Sequence, residues 1–465
     1  MKNQDTCYVW VWLPNETEPV AAGKLSSIIN DETKEIFNFE YLDSYLLRPD
    51  AVPLNKSELP LIRGTIAPFN DLIISNALRD SSPDSWGRRV ILNKLFGRYY
   101  DVNTEEPNEI TYMLMSDSDR IGAIDFQESD AIYKPRNPSS AKLEDLIKAK
   151  EYIEKGIPLP EALDQAIQHG TSIGGARPKA LLEDGSTKYI AKFSATGDTH
   201  NVVRFEYVTM RLAALAGLNV AKVKLTKAGQ KEALLVERFD REKTDSGWRR
   251  RILTSALTLL ELDEMQARYA SYADLSEKMN EVFADPASDK KELFKRLVFN
   301  INCSNSDDHA RNHAAIFDGN SYRLSPAYDI CPDSRGYECN QAMSIIGNCR
   351  SSKLQNCIDA ASLFGITKKE AVEIMEHQVK SIKENFNSVC IEADLGIVER
   401  RVLLARYLHP YAFDGMDVEY DISKSANNAR ESIMQDLSNF EGLSTTPKSI
   451  GNILKKDHKS DYEPQ

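Results

Sequence analysis

Alternation opens the chain. Residues 8–12 read Tyr-Val-Trp-Val-Trp, a run of aromatic and β-branched side chains that predicts a strand. Pro19 to Leu25 and Ile36 to Tyr41 predict two more, joined by polar turns. From Asn70 to Phe96 the spacing becomes helical. Ile73, Ile74, Ala77 and Leu78 share one face, and Val90, Ile91 and Leu95 share another. Between them Asp84, in Ser82-Pro83-Asp84-Ser85-Trp86-Gly87-Arg88, stands where a helix cap is needed. Asp119 to Phe126 reads as a loop entering a strand. These elements predict a small α+β domain over residues 1–135. The polar stretch 127–142, with Pro135 and Pro138, marks its boundary.

Beyond it, Lys142 to Lys155 predicts a helix with Leu143, Leu146 and Ile147 on its apolar side. Lys179 to Glu183 and Lys188 to Phe193 flank Asp184-Gly185-Ser186-Thr187, the signature of a hairpin. Asn201 to Ala216 is strongly helical, with Phe205, Val208, Leu212 and Leu215 in line. Ala221 to Thr226 and Glu232 to Arg238 predict two more strands. From Ser255 the chain reads as mainly helical, interrupted around 314–330. Residues 136–443 are expected to form one core and the polar tail 444–465 to be disordered. The class is α+β, with no internal repeat.

Composition narrows the function. A chain of 465 residues with 42% hydrophobic and 28% charged residues is that of a globular protein of several subdomains. No apolar run is long enough for a membrane span and the start lacks the build of a signal peptide, so no membrane partner and a cytoplasmic location are expected. The seven cysteines, with no CxxC pair, argue against a disulfide framework or a zinc site. A net charge of −12 argues against nucleic-acid binding by the overall field. The densest basic run, Arg249-Arg250-Arg251, reads equally as a solvated strand end.

The chemistry concentrates in Asn305-Ser306-Asp307-Asp308-His309-Ala310-Arg311-Asn312. Protein kinases place an Asp five positions before an Asn in the catalytic loop. The Asp takes the substrate hydroxyl proton and the Asn holds magnesium. Asp307 and Asn312 have that spacing, although the tandem Asp307-Asp308 leaves a second register open. A later acidic metal ligand is available as Asp329, in Leu324-Ser325-Pro326-Ala327-Tyr328-Asp329-Ile330. Asn312 and Asp329 meet the demand of Mg2+, which takes few protein oxygens and completes its shell with phosphate and water. Upstream, Gly174 and Gly175 in Thr171-Ser-Ile-Gly-Gly-Ala-Arg-Pro-Lys179 allow a backbone to approach an anion closely. Lys192 interrupts an apolar strand and needs a partner, which the next helix offers as Glu206. Leu234 to Phe239 ends a strand where a kinase hinge would present its main chain to adenine. Each signal alone has a structural explanation: a tight turn, an edge lysine, a capped loop. Their joint order is that of a kinase.

In these residues the chain resembles the HipA family of serine/threonine kinase toxins. The resemblance rests on Ser172-Ile-Gly-Gly-Ala-Arg-Pro-Lys179, Val236-Glu-Arg-Phe-Asp-Arg241, Asp307-Asp-His-Ala-Arg-Asn312 and Ser325-Pro-Ala-Tyr-Asp329. Leu59-Pro60-Leu61, Pro83-Asp-Ser-Trp-Gly-Arg88 and Arg120-Ile-Gly-Ala123 agree with it too. It implies a protein-kinase-like α+β fold with a small N-terminal β-containing domain, a nucleotide lobe and a helical C-terminal lobe. It also implies ATP and Mg2+ as cofactors, with Asp307 as catalytic base and Asn312 and Asp329 as metal ligands. ATP would be held by Gly174, Gly175, Ala176, Arg177, Lys179, Lys192, Glu237, Arg238, Phe239 and His309, and Ser172 would be autophosphorylated. Family toxins act on aminoacyl-tRNA synthetases and are restrained by a helix-turn-helix antitoxin, HipB, that binds operator DNA. The sequence departs from the best-known toxins at Arg177-Pro178, where they carry Gln-Glu. A kinase-like binding module without catalysis and a small-molecule kinase remain the alternatives.

Overall fold

The computed structural model describes residues 3–29, 34–98, 106–136, 143–160, 163, 177–194, 198, 200–228, 231–333 and 338–444. The first sheet has five strands: β1 Thr6–Trp12, β2 Pro19–Ile29, β3 Glu35–Tyr41, β4 Thr65–Ile66 and β5 Ile124–Gln127, in the order β4-β3-β2-β1-β5. All its pairings are antiparallel. Cys7, Val9 and Val11 of β1 are fully buried, and Trp10 and Trp12 on the other face are covered as well. The indole of Trp12 lies edge-on to Tyr133, with ring centroids 5.4 Å apart.

The stretch 70–96 is not one helix. Asn70 and Asp71 take positive φ, 54° and 60°, a conformation that short polar residues tolerate and a helix cannot use. Helix then forms at Asn76–Arg79 and Ser85–Arg98. Asp84 caps the latter, its carboxylate accepting from the amides of Trp86 and Gly87 at 3.1 and 3.2 Å.

The second sheet comprises β6 Lys179–Asp184, β7 Thr187–Phe193, β8 Val223–Ala228 and β9 Lys231–Glu237, in the order β6-β7-β9-β8. Its core joins Ala180, Ala191, Phe193, Ala233 and Leu235 to Leu146, Ala149 and Ile153 of helix Leu143–Glu154. Trp86 and Val90 enter the same core. A helix from within residues 1–135 is therefore built into the core of this second sheet. Helix Val202–Leu215 lies beyond β7, capped by Asn201, whose side chain accepts from Arg204 N. Phe205, Val208 and Leu212 are buried as the spacing predicts, whereas Leu215, in the last turn, is exposed.

Two further sheets escape the sequence pattern. β10 Arg241–Thr244 and β11 Gly247–Arg250 form a short hairpin, and β12 Ile252–Ser255, β13 Ala314–Phe317 and β14 Tyr322–Leu324 form a three-stranded sheet. The arginine run belongs to this region and is tied to the N-terminal part. The Arg250 guanidinium stacks 3.4 Å from the Trp12 ring centroid and donates to Ser118 O, and Arg249 donates to Asn15 O. The remainder is helical. Helix Pro286–Asn302 is capped by Asp285 with proline at its first turn, and it buries Leu293, Phe294, Leu297 and Val298. It packs against helices Tyr272–Val282, Leu354–Ala360 and Lys368–Glu392. Among the described residues no helix is long and apolar enough to cross a membrane.

Candidate active site

β6 and β7 pair so that Lys179 stands directly opposite Lys192. Cross-strand partners point to the same face of a sheet, so two ammonium groups share one side of the nucleotide lobe. Such a pair needs counter-charge. For Lys192 the partner comes from helix Val202–Leu215, where Glu206 Oε1 accepts from Nζ at 2.5 Å, and from Asp329 Oδ1, which also accepts from Nζ. Glu206 is buried. Burial opposes the charge on Lys192, but Asp329 and Glu206 outweigh it and hold its pKa above the usual lysine value. Burial pushes the pKa of Glu206 up, with Lys192 pulling the other way. Lys192 in turn drives Asp329 well below the usual carboxylate range.

Lys179 is buried and its pKa is lowered, first by burial and also by Lys192, while Asp84 opposes the shift. Asp84 itself is pushed up to about 6 by burial, with Lys179 resisting. The cap of helix Ser85–Arg98 thus lies within electrostatic reach of Lys179. Arg177 is exposed and forms a bidentate pair with Asp198 at 2.9 and 3.0 Å. Ser172, Gly174, Gly175 and Ala176 lie outside the described residues.

The segment carrying Asp329 is held from two sides. Ala327 pairs with residues 219–221 through Ala327 N to Asn219 O at 2.7 Å and Ala221 N to Ala327 O at 2.9 Å. Arg296, buried in helix Pro286–Asn302, donates to Ser325 O at 2.6 Å. Asp329 then takes φ 60°, and its side chain is 47% exposed. A left-handed aspartate is tolerated but uncommon, and strained residues of this kind gather at functional sites.

The catalytic-loop candidate joins helix Pro286–Asn302 to β13. Its two aspartates have opposite surroundings. Asp307 is exposed. Asp308 is buried and accepts from Tyr272 Oη at 2.5 Å and Asn300 Nδ2 at 2.7 Å, and bonds His313 Nε2 at 2.9 Å. Only Asp307 of the two can meet a substrate. The Asn312 amide donates to Asp307 O at 3.1 Å, and its side-chain oxygen is left for another role. The Nδ1 of His309 is buried and has no hydrogen-bond partner among the described residues. Among those residues no group of three or more His, Cys, Asp or Glu surrounds a metal position. A Mg2+ held by one carboxylate, one amide oxygen and phosphates does not require such a group. The exposed, lysine-bound Asp329 and Asn312, whose amide nitrogen is held by Asp307 O, are oxygen donors of the kind such an ion takes.

At the end of β9, Glu237 N and Arg238 N are used by Lys222 O and Lys188 O at 2.8 and 2.9 Å. The Arg238 guanidinium is buried among Asp119, Arg120 and Asp240. With its side chain and its N–H both engaged, what Arg238 can offer a ligand is its carbonyl oxygen. Phe239 is half-buried, its ring centroid 5.8 Å from that of Tyr328, whose hydroxyl donates to Arg311 O. Tyr328 thus links the end of β9, through Phe239, to the 305–312 loop, through Arg311. Asp84, Asp119 and Asp240 were not candidates from the sequence. Asp119 lies 119 positions from Arg238, and nothing in either segment pairs it with the other.

Comparison with known proteins agrees with this geometry. Residues 171–386 match the model of the HipA-like C-terminal domain. The protein Y4mE of Sinorhizobium fredii, which carries a kinase name, is 33% identical over 176 residues, 34% of this chain and 41% of that one. The serine/threonine-protein kinase toxin HipA of Shewanella oneidensis is 28% identical over 214 residues, 40% of this chain and 48% of that one. The chain therefore matches less than half the length of each. The structure of Shewanella oneidensis HipA, solved with HipB and operator DNA, superposes with a TM-score of 0.60 at 17% identity, covering 91% of this chain and 96% of that one. Over residues 171–386 the chain is similar to the HipA-like C-terminal domain, and it has the HipA fold.

Proposed function

We propose that the chain is an ATP- and Mg2+-dependent serine/threonine protein kinase and the toxin of a HipA/HipB-like pair. The observation that carries the reading is Lys192, bonded at once to Glu206 and Asp329, with the exposed Asp307 on a loop locked from behind by Asp308. In this reading residues 1–135 form an N-terminal unit and 136–443 the kinase core. The γ-phosphoryl group passes from ADP to the substrate hydroxyl oxygen while Asp307 receives the hydroxyl proton. Little covalent work falls to the protein, and most of the acceleration comes from positioning and charge. Asn312 and Asp329 would hold the magnesium, which supplies neutralisation of the phosphate oxygens. Lys192 meets those phosphates by loosening from Asp329, and it keeps Glu206 as its fixed partner. Lys179 adds a second cation on the same face. Glu237 and Phe239 frame adenine, with Arg238 contributing its main-chain carbonyl and His309 its Nδ1, which has no partner among the described residues.

The partners follow from the relatives. A helix-turn-helix antitoxin would restrain the kinase and bring operator DNA, and the target is a protein such as an aminoacyl-tRNA synthetase in the bacterial cytoplasm. Nucleotide titration tests the site. ATP should bind the parent more tightly with Mg2+ than without, and Asp329→Ala should lose most of that difference. Equal Mg2+ dependence in parent and variant removes Asp329 from the metal site.

A further inference from the structure

The link leaving β9 runs from Glu237 to Arg241, and both of its arginines turn into a loop of the N-terminal region, Asp119–Gly122. Arg238 Nη1 donates to Asp119 O and Oδ1 at 3.0 and 3.1 Å, and Nη2 donates to Arg120 O at 2.5 Å. Its Nε and Nη2 also grip Asp240 at 2.9 and 2.8 Å. Arg241 donates to Asp119 Oδ1 from Nη2 at 3.0 Å, to Gly122 O at 2.8 Å, and to Arg120 O. Lys188, on β7, reaches Asp119 Oδ2 at 2.6 Å. Gly122 N donates to Asp240 Oδ2 at 2.8 Å, and Gly122 has φ 77°, which favours glycine. Arg238, Asp240 and Arg241 are all buried.

Buried ion networks are poor stabilisers, because desolvation offsets most of their attraction and apolar replacements often do as well. Their best-attested use is to specify one arrangement. The arrangement specified here is that of the main chain around Phe239. The two arginines flank that residue, and its ring abuts Tyr328, next to Asp329. We propose that Asp119 is a positioning residue for the nucleotide site: through Arg238 and Arg241 it holds residues 237–241 in place against the metal-binding segment. The N-terminal region is then part of the catalytic unit. This rests on the kinase reading above for its consequence, and on the geometry alone for the clamp itself.

Asp119→Asn keeps the side chain's shape and removes its charge. Two measurements on the full chain separate the questions. Hydrogen exchange of peptides spanning 234–241, without nucleotide, should quicken in the variant. KM for ATP should rise by about tenfold with kcat changed far less, as expected when a contact surface is misplaced while the reacting groups are intact. Unchanged exchange at 234–241 in a folded variant overturns the clamp. Faster exchange with an unchanged KM overturns its role in nucleotide binding, and so does a fall in kcat alone. A parent that binds no ATP·Mg2+ overturns the kinase reading, and the exchange data then show only a mechanical link. If Asp119→Asn does not fold, Lys188→Met removes one cation from Asp119 and leaves both arginines. The same two readouts should then move in the same directions by a smaller factor, and no movement in either overturns the proposal.

Discussion

Replacing Asp308 by alanine removes one carboxylate from the bonds of three buried groups: the Tyr272 hydroxyl, the Asn300 amide and the His313 ring. Each is almost wholly excluded from solvent, with Tyr272 at 0%, Asn300 at 2% and His313 at 2% exposure. Leaving a buried polar group without its partner costs about 1–3 kcal/mol. Allowing one of the three to find a new partner, the loss comes to roughly 2–6 kcal/mol, a large part of the ~5–15 kcal/mol that holds a typical domain together. Asp307→Ala is different. That side chain is exposed, and the bonds from Asn312 Nδ2 and His309 N go to its main-chain oxygen, which alanine keeps. Substitution at an exposed position costs less than the loss of a buried carboxylate with three buried partners. Urea titration followed by circular dichroism measures both. Asp308→Ala should unfold at a much lower urea midpoint or fail to fold, and Asp307→Ala should stay far closer to the parent. Equal midpoints for Asp308→Ala and parent would refute the assignment of Asp308 to the scaffold. A destabilised Asp307→Ala would show that Asp307 also belongs to it.

Glu58 is buried, accepts from Ser75 Oγ and Ala77 N at 2.6 and 2.9 Å, and has its pKa raised to about 7, chiefly by burial. A carboxyl raised above its unfolded value makes the folded state take up a proton, so stability should increase as pH falls from about 7 towards 4.5. Its ionised form costs up to about 3 kcal/mol at higher pH. Glu58→Gln should therefore be more stable than the parent at pH ~8, with the gap closing near pH ~5, and parallel stability curves in the two proteins would contradict this. Incubation with ATP and Mg2+ should add phosphate to Ser172, slowly and only where Asp307 is intact. Mass spectrometry that finds Ser172 unmodified in an active enzyme removes the autophosphorylation reading.

The legible parts of the structure were those set by local pattern. The hairpin of β6 and β7 is bracketed by Asp184-Gly185, and the helix at Val202–Leu215 announces itself through Phe205, Val208 and Leu212. These two elements put Lys192 and Glu206 within reach, so the pair was readable before any fold was known. The hairpin of β10 and β11 was not, because Arg241–Thr244 and Gly247–Arg250 are short and polar and are held by Trp12, Ser118 and Asn15, far away in sequence. The positive φ of Asn70 and Asp71 was hidden because they stand at the start of a stretch whose apolar spacing, from Ile73 to Leu78, reads as helical. Arg238 was placed with the nucleotide by motif, in a segment expected to present its main chain, while the partners of its side chain, Asp119 and Asp240, carry no local sign of the pairing. The difference between Asp307 and Asp308 is one of burial by Tyr272, Asn300 and His313, which adjacent identical residues cannot reveal.

Transfer of the γ-phosphate is the most direct test of the central claim. The purified full chain, incubated with γ-labelled ATP and Mg2+ alongside bacterial proteins, should place label on serine or threonine hydroxyls. Chelation of the metal should stop the transfer, and Asp307→Ala should abolish it while retaining ATP binding. Label transferred equally by the parent and by Asp307→Ala, or none transferred by a folded parent that fails to bind ATP·Mg2+, would contradict the account.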